Sequence, residues 1–195
     1  MPRFLALGLL SLSIASCVFS LTHRFADGEE PAIRSDITKE TNGDVFLTQT
    51  VRTKASLDKV WAAYTTSDGW KSWVAPVAEV DFKIGGEIRS NYRADGKITD
   101  GDTVKLRIVN YVPKQVLTLQ AEVNKNWPEV LKAQEKRLYN VITFHELPNG
   151  GTKVVSHGIG YTNDPKLQQL LRFFVSANEQ SFRKLISAVE TSPQR

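Results

Sequence analysis

The feature that most constrains the fold is a long amphipathic helical pattern at the C-terminal end, over residues 165–190. Its apolar side chains recur on one stripe, and the charged side chains lie away from that stripe. The stripe consists of Leu167, Leu170, Leu171, Phe174, Phe182, Leu185 and Val189. At 1.5 Å per residue such a helix would span ~39 Å, which is long enough to cross a whole small sheet. We therefore expect one face of this helix to be buried along the domain.

The sequence before this helix alternates between apolar and polar residues, as strands do. The alternating segments are 79–84, 87–93, 103–112, 115–123, 139–147 and 152–161, and turn residues separate them. Upstream, residues 45–51 have the composition of a strand, and Ser56 suits the N-cap of a helix. A second short helical segment follows it. The pattern predicts an α+β fold, in which a curved antiparallel sheet of about six to seven strands surrounds the long C-terminal helix.

Residues 124–138 interrupt the alternation with a charged segment that favours helix. Pro128 suits the first turn of a short helix, so this segment is predicted to be a helical insertion or lid. With it, residues 44–191 make one domain of ordinary size.

The N-terminal residues have the character of an export signal. Arg3 precedes an apolar run over residues 4–15, and Ile14-Ala15-Ser16-Cys17 resembles a bacterial lipoprotein processing site. We predict a signal peptide over residues 1–16, lipidation of Cys17, and a flexible tether over residues 17–43. Ordinary cleavage, which would give a secreted form, and an uncleaved anchor stay open as alternatives. All three place the domain outside the cytoplasm, periplasmic or tethered to the membrane through the N-terminus alone.

The composition excludes several classes of function. The formal net charge is +4, and positive and negative residues are interspersed, so no basic stripe predicts nucleic-acid binding. Cys17 is the only cysteine, which rules out an intramolecular disulfide. The chain has three histidines, of which His23 lies in the tether. No zinc-type ligand set can be assembled from what remains, and we expect neither a metal nor a cofactor.

The order of the elements and the residues inside them resemble the SRPBCC superfamily, whose members have a START-like, helix-grip fold. Within it, the chain is most similar to homologues of the activator of a heat-shock-protein ATPase. The residues that carry the resemblance are 60–65, Trp70 and Trp73, 82–89, Val112-Pro113, 142–144, 151–154 and the terminal helix. This resemblance implies a ligand chamber between the sheet and the helix.

Asn149-Gly150 suits a two-residue hairpin turn, and such a turn predicts the register of the last two strands. Ile142 would then face His157 on the more apolar, concave side of the sheet, and His145 would lie on the opposite face. A metal centre built from both histidines is therefore not expected. Two interpretations of His157 stay open. It is either a core histidine satisfied by its neighbours, or a chamber group that orients a ligand or acts as a general base.

From their expected positions around this chamber, we predict which residues would contact a ligand. They are aromatic and aliphatic residues together with two polar ones. The set is Trp73, Phe82, Tyr92, Ile142, Phe144, His157, Ile159, Phe174 and Asn178. For the aromatic residues and for Asn178, a role in packing the core is the alternative.

The sequence as a whole favours an exported binding protein that holds an apolar or amphipathic small molecule. A cyclase- or hydrolase-type enzyme using His157 is one alternative, and a protein-interaction module is another. A binding role predicts a cavity of ~300 Å³ or more under the helix.

Overall fold

The computed structural model describes residues 31–124 and 126–191. In chain order, the elements are β1 (Ile33–Lys39), β2 (Asp44–Thr53), α1 (Leu57–Thr65), α2 (Ser67–Trp73), β3 (Val77–Val80), β4 (Glu87–Asn91), β5 (Val104–Val112), β6 (Val116–Glu122), α3 (Glu129–Lys132), a 3-10 turn (Glu135–Arg137), β7 (Tyr139–Glu146), β8 (Thr152–Thr162) and α4 (Pro165–Thr191). The strands form one eight-stranded sheet in the order β1-β2-β8-β7-β6-β5-β4-β3, and neighbouring strands are antiparallel. The predicted α+β class, a curved antiparallel sheet with a long C-terminal helix, is confirmed.

The eighth strand is one that the sequence pattern assigned to a tether. Residues 33–39 form β1 and pair with β2 in register from Ile33 with Val51 to Lys39 with Val45, so the predicted tether is wrong over this stretch. β1 is an edge strand whose outward positions include the charged residues Arg34 and Asp36, and charge at an edge helps to keep it from pairing with other chains. Because most residues of β1 are polar, the sequence pattern did not identify this segment as a strand. The predicted signal peptide, Cys17 and residues 17–30 lie outside the described residues.

The concave face of the sheet is built from alternate residues of each strand. In β2 the side chains of Val45, Leu47, Gln49 and Val51 are all buried, while the residues between them are half-buried. The long helix α4 lies against this face, in contact with β1, β2 and β8 as well as with α1 and α2. No helix in the two described ranges is long and apolar enough to cross a membrane.

An aromatic cluster fills one half of the interior. Tyr64 lies at its centre, with ring centroids 4.8 Å from Trp73, 5.1 Å from Phe144 and 6.3 Å from Trp70. The two indole N–H groups are satisfied, since Trp70 Nε1 donates to Ser90 Oγ at 2.8 Å and Trp73 Nε1 donates to a backbone carbonyl. The Tyr64 hydroxyl is buried without a hydrogen-bond partner among the described residues, and burial raises its pKa.

Replacement of Tyr64 by phenylalanine should therefore not destabilise the protein. A buried polar group without a partner costs ~1–3 kcal/mol, so Tyr64→Phe should raise the free energy of unfolding by up to ~1 kcal/mol or leave it unchanged. Ser90→Ala is the matched control, because it leaves Trp70 Nε1 unpaired and should lower stability by ~1–3 kcal/mol. Urea unfolding measures both. A loss of more than ~1 kcal/mol in Tyr64→Phe would mean that the hydroxyl is paired.

Candidate functional site

A cavity lies in the other half of the interior, between the concave face of the sheet and α4. Its volume is about 160 Å³, smaller than the ~300 Å³ expected from sequence. Its lining residues are Leu47, Gln49, Leu106, Leu119, Ala121, Trp127, Leu131, Leu138, Tyr139, Asn140, Ser156, Gly158, Ile159, Tyr161, Phe174 and Asn178. The lining comes from β2, β5, β6, β7, β8, α3 and α4.

The residues predicted to contact a ligand do not all meet in this cavity. Ile159, Phe174 and Asn178 line it. Trp73, Ile142 and Phe144 belong instead to the packed aromatic half of the interior, each at most 6% exposed.

Two further members of the predicted set do not line the cavity. Phe82 lies at the edge of the aromatic cluster, where its ring is tilted against Tyr111 with centroids 4.5 Å apart and packs edge-on against Trp61. Tyr92 is 60% exposed, just after β4. Since neither lines the cavity, a ligand-binding role for these two is not supported by its geometry.

His157 does not face the chamber, and the predicted hairpin register is wrong by one residue. In the structure Val141 pairs with His157, and Ile142 pairs with Ser156. The side chain of His157 therefore lies on the outer face, where its Nδ1 is 3.0 Å from Thr48 Oγ1. His145 follows the same parity and shares this outer face, contrary to the prediction.

The cause of the register difference is a three-residue turn where two residues were expected. The Gly150 N–H donates to the Leu147 carbonyl, and the Leu147 N–H donates to the Gly151 carbonyl. Pro148 thus belongs to the turn, in the position of a type I turn that proline favours, and Gly150 follows with a left-handed φ of 79°. One added turn residue moves every side chain of the strand to the other face.

A row of polar side chains runs beneath the cavity, and three of its members, Gln49, Ser156 and Asn140, form the cavity floor. Ser35, Gln49 and Ser156 are directly cross-strand neighbours on β1, β2 and β8. The row continues through Ser156 Oγ, which donates to Asn140 Oδ1 at 2.7 Å. Gln49 is only 1% exposed, so its amide depends entirely on partners inside the protein.

The hydrogen bonds of Gln49 join β1, β2 and α4. Its Nε2 donates to Ser35 Oγ at 3.0 Å, and its Oε1 accepts from Asn178 Nδ2 at 2.8 Å. Ser35 Oγ in turn donates to Glu179 Oε1 at 2.8 Å, and Arg183 lies 3.6 Å from the same carboxylate. Four residues on three elements therefore form one hydrogen-bonded chain, which we name the Gln49 chain: Glu179, Ser35, Gln49 and Asn178.

A β-bulge in β8 brings Tyr161 to the cavity. Leu47 pairs with Gly158, but Val45 pairs with Tyr161, so β8 holds one residue more than β2 between these pairs. Gly160 lies inside the bulge with a φ of 94°, in the left-handed region. Burial raises the pKa of Tyr161 to about 12, so its phenol stays neutral at physiological pH.

The segment predicted as a helical insertion closes one end of the cavity. It contains α3 and the 3-10 turn, and the buried side chains of Leu131 and Leu138 pack with Leu167 of α4. An ion pair of 2.7 Å between Arg137 and Asp44 ties the segment to β2. The helical part of the prediction therefore agrees with the structure, and a lid function stays a prediction.

The cavity lining carries no formal charge. No Asp, Glu, Lys, Arg or His belongs to it within the described ranges; its polar members are amides, a serine hydroxyl, two phenols and the indole of Trp127. Across the same part of the chain, no group of three or more His, Cys, Asp or Glu side chains is arranged to hold a metal ion.

The fold and the cavity define a helix-grip protein of the SRPBCC superfamily. A family model described as "Activator of Hsp90 ATPase homolog 1-like protein" matches residues 54–190. The chain belongs to this family, as the sequence resemblance indicated. No curated protein matches the chain at a significant level.

Solved structures with the same fold are distant in sequence. The solution structure of the Aha1 dimer from Colwellia psychrerythraea has a TM-score of 0.57 at 17% identity, covering 76% of this chain and 98% of that one. A crystal structure of a protein from Mesorhizobium loti has a TM-score of 0.60 at 14% identity, covering 76% and 99%. CalU16 from Micromonospora echinospora has a TM-score of 0.54 at 17% identity, covering 84% and 88%. At these identities the likeness concerns the fold.

Sequence reasoning missed the polar floor, although part of its signal was present. Gln49 continues the alternation of Val45, Leu47 and Val51, so it is a polar residue at a core-facing position and needs partners inside the protein. Ser156 was hidden by the register error, which placed it on the outer face. Asn140 has the parity of Ile142 and was already on the concave side, but without Ser156 its partner was not apparent.

Gly160 lies where the insertion packs on β8, and we expect substitution of this glycine to destabilise the protein. A Cβ there would overlap the backbone carbonyl of Arg137, and an L-residue pays ~1–2 kcal/mol for left-handed backbone. Gly160→Ala should therefore lower the free energy of unfolding by ~2 kcal/mol or more. Gly101→Ala, at an exposed turn with open space around the Cβ, is the control and should change stability by less than ~0.5 kcal/mol. Equal effects of the two substitutions in thermal or urea unfolding would contradict this packing.

Proposed function

We propose that this protein is an exported binding protein that holds a small, largely apolar molecule between the sheet and α4. The observation that carries the proposal is the cavity of about 160 Å³, which lies beside a fully packed aromatic cluster. Native interiors are close-packed, so a pocket of this size between sheet and helix, partly open to solvent, departs from the dense packing beside it. Members of the superfamily commonly bind hydrophobic ligands, which supports the same role here.

The size of the cavity limits the ligand. A cavity of about 150 Å³ lined by aliphatic and aromatic side chains holds a benzene molecule. The lining here is of that kind along most of its surface, with Leu119, Leu131 and Phe174 among its members. We therefore expect a ligand built around a single ring or a short branched chain.

The chemistry of the lining favours binding over catalysis. The enzymatic alternative required His157 in the chamber, and His157 instead lies on the outer face beside Thr48. Among the described lining residues, none is a histidine, cysteine, carboxylate or amine that would serve as a general acid, base or nucleophile near neutral pH. What the lining offers is an apolar wall and a few neutral hydrogen-bonding groups.

The binding proposal is tested with fluorobenzene as a probe of the cavity. In ¹⁹F NMR the full chain should shift or broaden the fluorobenzene signal saturably. Ala121→Phe, which adds a ring to the cavity wall, should abolish this binding. Ala62→Phe adds the same ring at an exposed position of α1 and is the matched control.

Two results would overturn the binding proposal. One is the absence of any fluorobenzene binding to the folded full chain. The other is binding that Ala121→Phe leaves unchanged, because the probe would then lie elsewhere. Native mass spectrometry of protein purified from its own host adds a second readout, since a natural ligand should appear as a mass adduct that Ala121→Phe loses.

Export is the second part of the proposal, and it rests on Arg3, the apolar run over residues 4–15 and the motif that ends at Cys17. Expressed in a bacterium, the full chain should be processed to a form that begins at a lipid-modified Cys17, and globomycin should block this step. Cys17→Ser should remove the lipid mass and the globomycin effect. An unprocessed chain that stays in the cytoplasm would contradict export, and globomycin-insensitive cleavage would replace lipidation with ordinary secretion.

A further inference from the structure

Two acceptors set the direction of the hydrogen bonds in the Gln49 chain: the Glu179 carboxylate, and the Val175 carbonyl, to which Gln49 Nε2 also donates at 3.5 Å. Glu179 is a carboxylate and accepts only, so the Ser35 hydroxyl must donate to it. Ser35 Oγ then accepts from Gln49, which requires the NH₂ group of Gln49 to face β1. The Oε1 atom of Gln49 is left facing α4, where it accepts from Asn178 Nδ2.

This fixed direction decides what Asn178 presents to the cavity. Its Nδ2 is committed to Gln49, so its Oδ1 is the atom left over, and it has no hydrogen-bond partner among the described residues. Asn178 is therefore held as a hydrogen-bond acceptor. Its side-chain amide could otherwise turn over to offer either atom.

On the opposite side of the floor, Asn140 is held as a donor. Its Oδ1 accepts from Ser156 Oγ at 2.7 Å, which leaves Nδ2 without a partner within the described part of the chain. Asn140 and Asn178 both line the cavity. The asparagines of the lining thus offer one unused donor and one unused acceptor, and the cross-strand neighbours Ser156 and Gln49 lie between them. The phenols of Tyr139 and Tyr161 and the indole of Trp127 are the other polar groups of the lining.

A charged ligand does not fit this floor. No described lining residue carries a formal charge that would pair with a buried ion. Moving an unpaired carboxylate or ammonium out of water costs far more than two neutral hydrogen bonds return. A carboxylate would also place an oxygen that only accepts against the acceptor Oδ1 of Asn178.

We infer that the cavity takes a compact, uncharged ligand whose polar end both accepts and donates a hydrogen bond, as a primary amide or a hydroxyl does. This inference rests on the proposed binding function and adds the chemical class of the ligand. Asn140 and Asn178 contact the polar end, the aliphatic and aromatic lining holds the rest, and Ser35 is a positioning residue that sets the direction of the amides from outside the cavity.

The test compares ring compounds of similar size by isothermal titration of the full chain at pH 7. Benzamide accepts and donates, acetophenone only accepts, benzoate is an anion of the same shape as benzamide, and fluorobenzene has no amide or hydroxyl. Benzamide should bind at least ~100-fold more tightly than benzoate, because only benzoate must bury an unpaired charge.

Variants of Ser35 separate positioning from a merely structural role. Ser35→Ala removes the nearer of the two acceptors of Gln49 Nε2 and leaves only the Val175 carbonyl at 3.5 Å. Benzamide affinity should therefore fall ~5-fold, the value of about one hydrogen bond. Acetophenone and fluorobenzene, which give no hydrogen to Asn178, should change by less than ~2-fold. Ser35→Thr keeps the hydroxyl on β1 and should restore benzamide binding. A uniform loss for all the neutral compounds would show that Ser35 acts on the fold alone.

The results of these titrations test the ligand class separately from the binding function on which it rests. If fluorobenzene binds while benzamide does not, or if benzoate binds as tightly as benzamide, the assignment of the polar end is overturned and the binding function stands. If neither fluorobenzene nor benzamide binds, both fall together. A fall in benzamide affinity that Ser35→Thr fails to restore also overturns the role given to the hydroxyl.

Discussion

The buried amide of Gln49 is the interaction on which the arrangement of this interior depends. A glutamine on the concave face of a sheet can be buried only if its donor and acceptor are both used, and here its partners come from two other elements. Ser35 holds it from the edge strand β1, and Asn178 holds it from the long helix α4. The same contacts that satisfy Gln49 therefore fix the edge strand, the helix and the floor of the cavity relative to one another.

The long helix serves two different interiors along its length. Towards its C-terminal end, Phe182, Leu185 and Val189 pack into the aromatic cluster, where little space remains. Nearer its start, Phe174 and Asn178 face the cavity, and the insertion with α3 packs against the first turns. The aromatic half supplies the packing that keeps the helix in place. That support lets the other half keep an empty volume, which would otherwise be lost to collapse of the lining.

The sequence predicted those parts of the fold in which hydrophobic periodicity decides the outcome. The terminal helix, the helix pair after Ser56 and most of the strands have patterns set by burial, and they were found. β1 was missed because an edge strand buries little and carries charge. His157 was placed on the wrong face because Pro148 adds one residue to the turn between β7 and β8. Since successive side chains of a strand point to opposite faces, a shift of one residue moves all of them to the other face. Asn178 was among the predicted ligand contacts, but its partner Gln49 was not identified, because it is a single polar residue in an apolar strand.

The acceptors of Glu179 and Val175 direct the Gln49 chain and thereby fix Asn178 as an acceptor towards the cavity. Neutron diffraction from deuterium-exchanged crystals tests this arrangement most directly, because it locates the deuterons on each amide and hydroxyl. We expect a deuteron from Ser35 Oγ towards Glu179, two on the Gln49 atom that faces Ser35, and two on the Asn178 atom that faces Gln49. Deuterons on the Gln49 atom that faces Asn178 would show that the chain runs in the opposite direction and that Asn178 is not fixed as an acceptor.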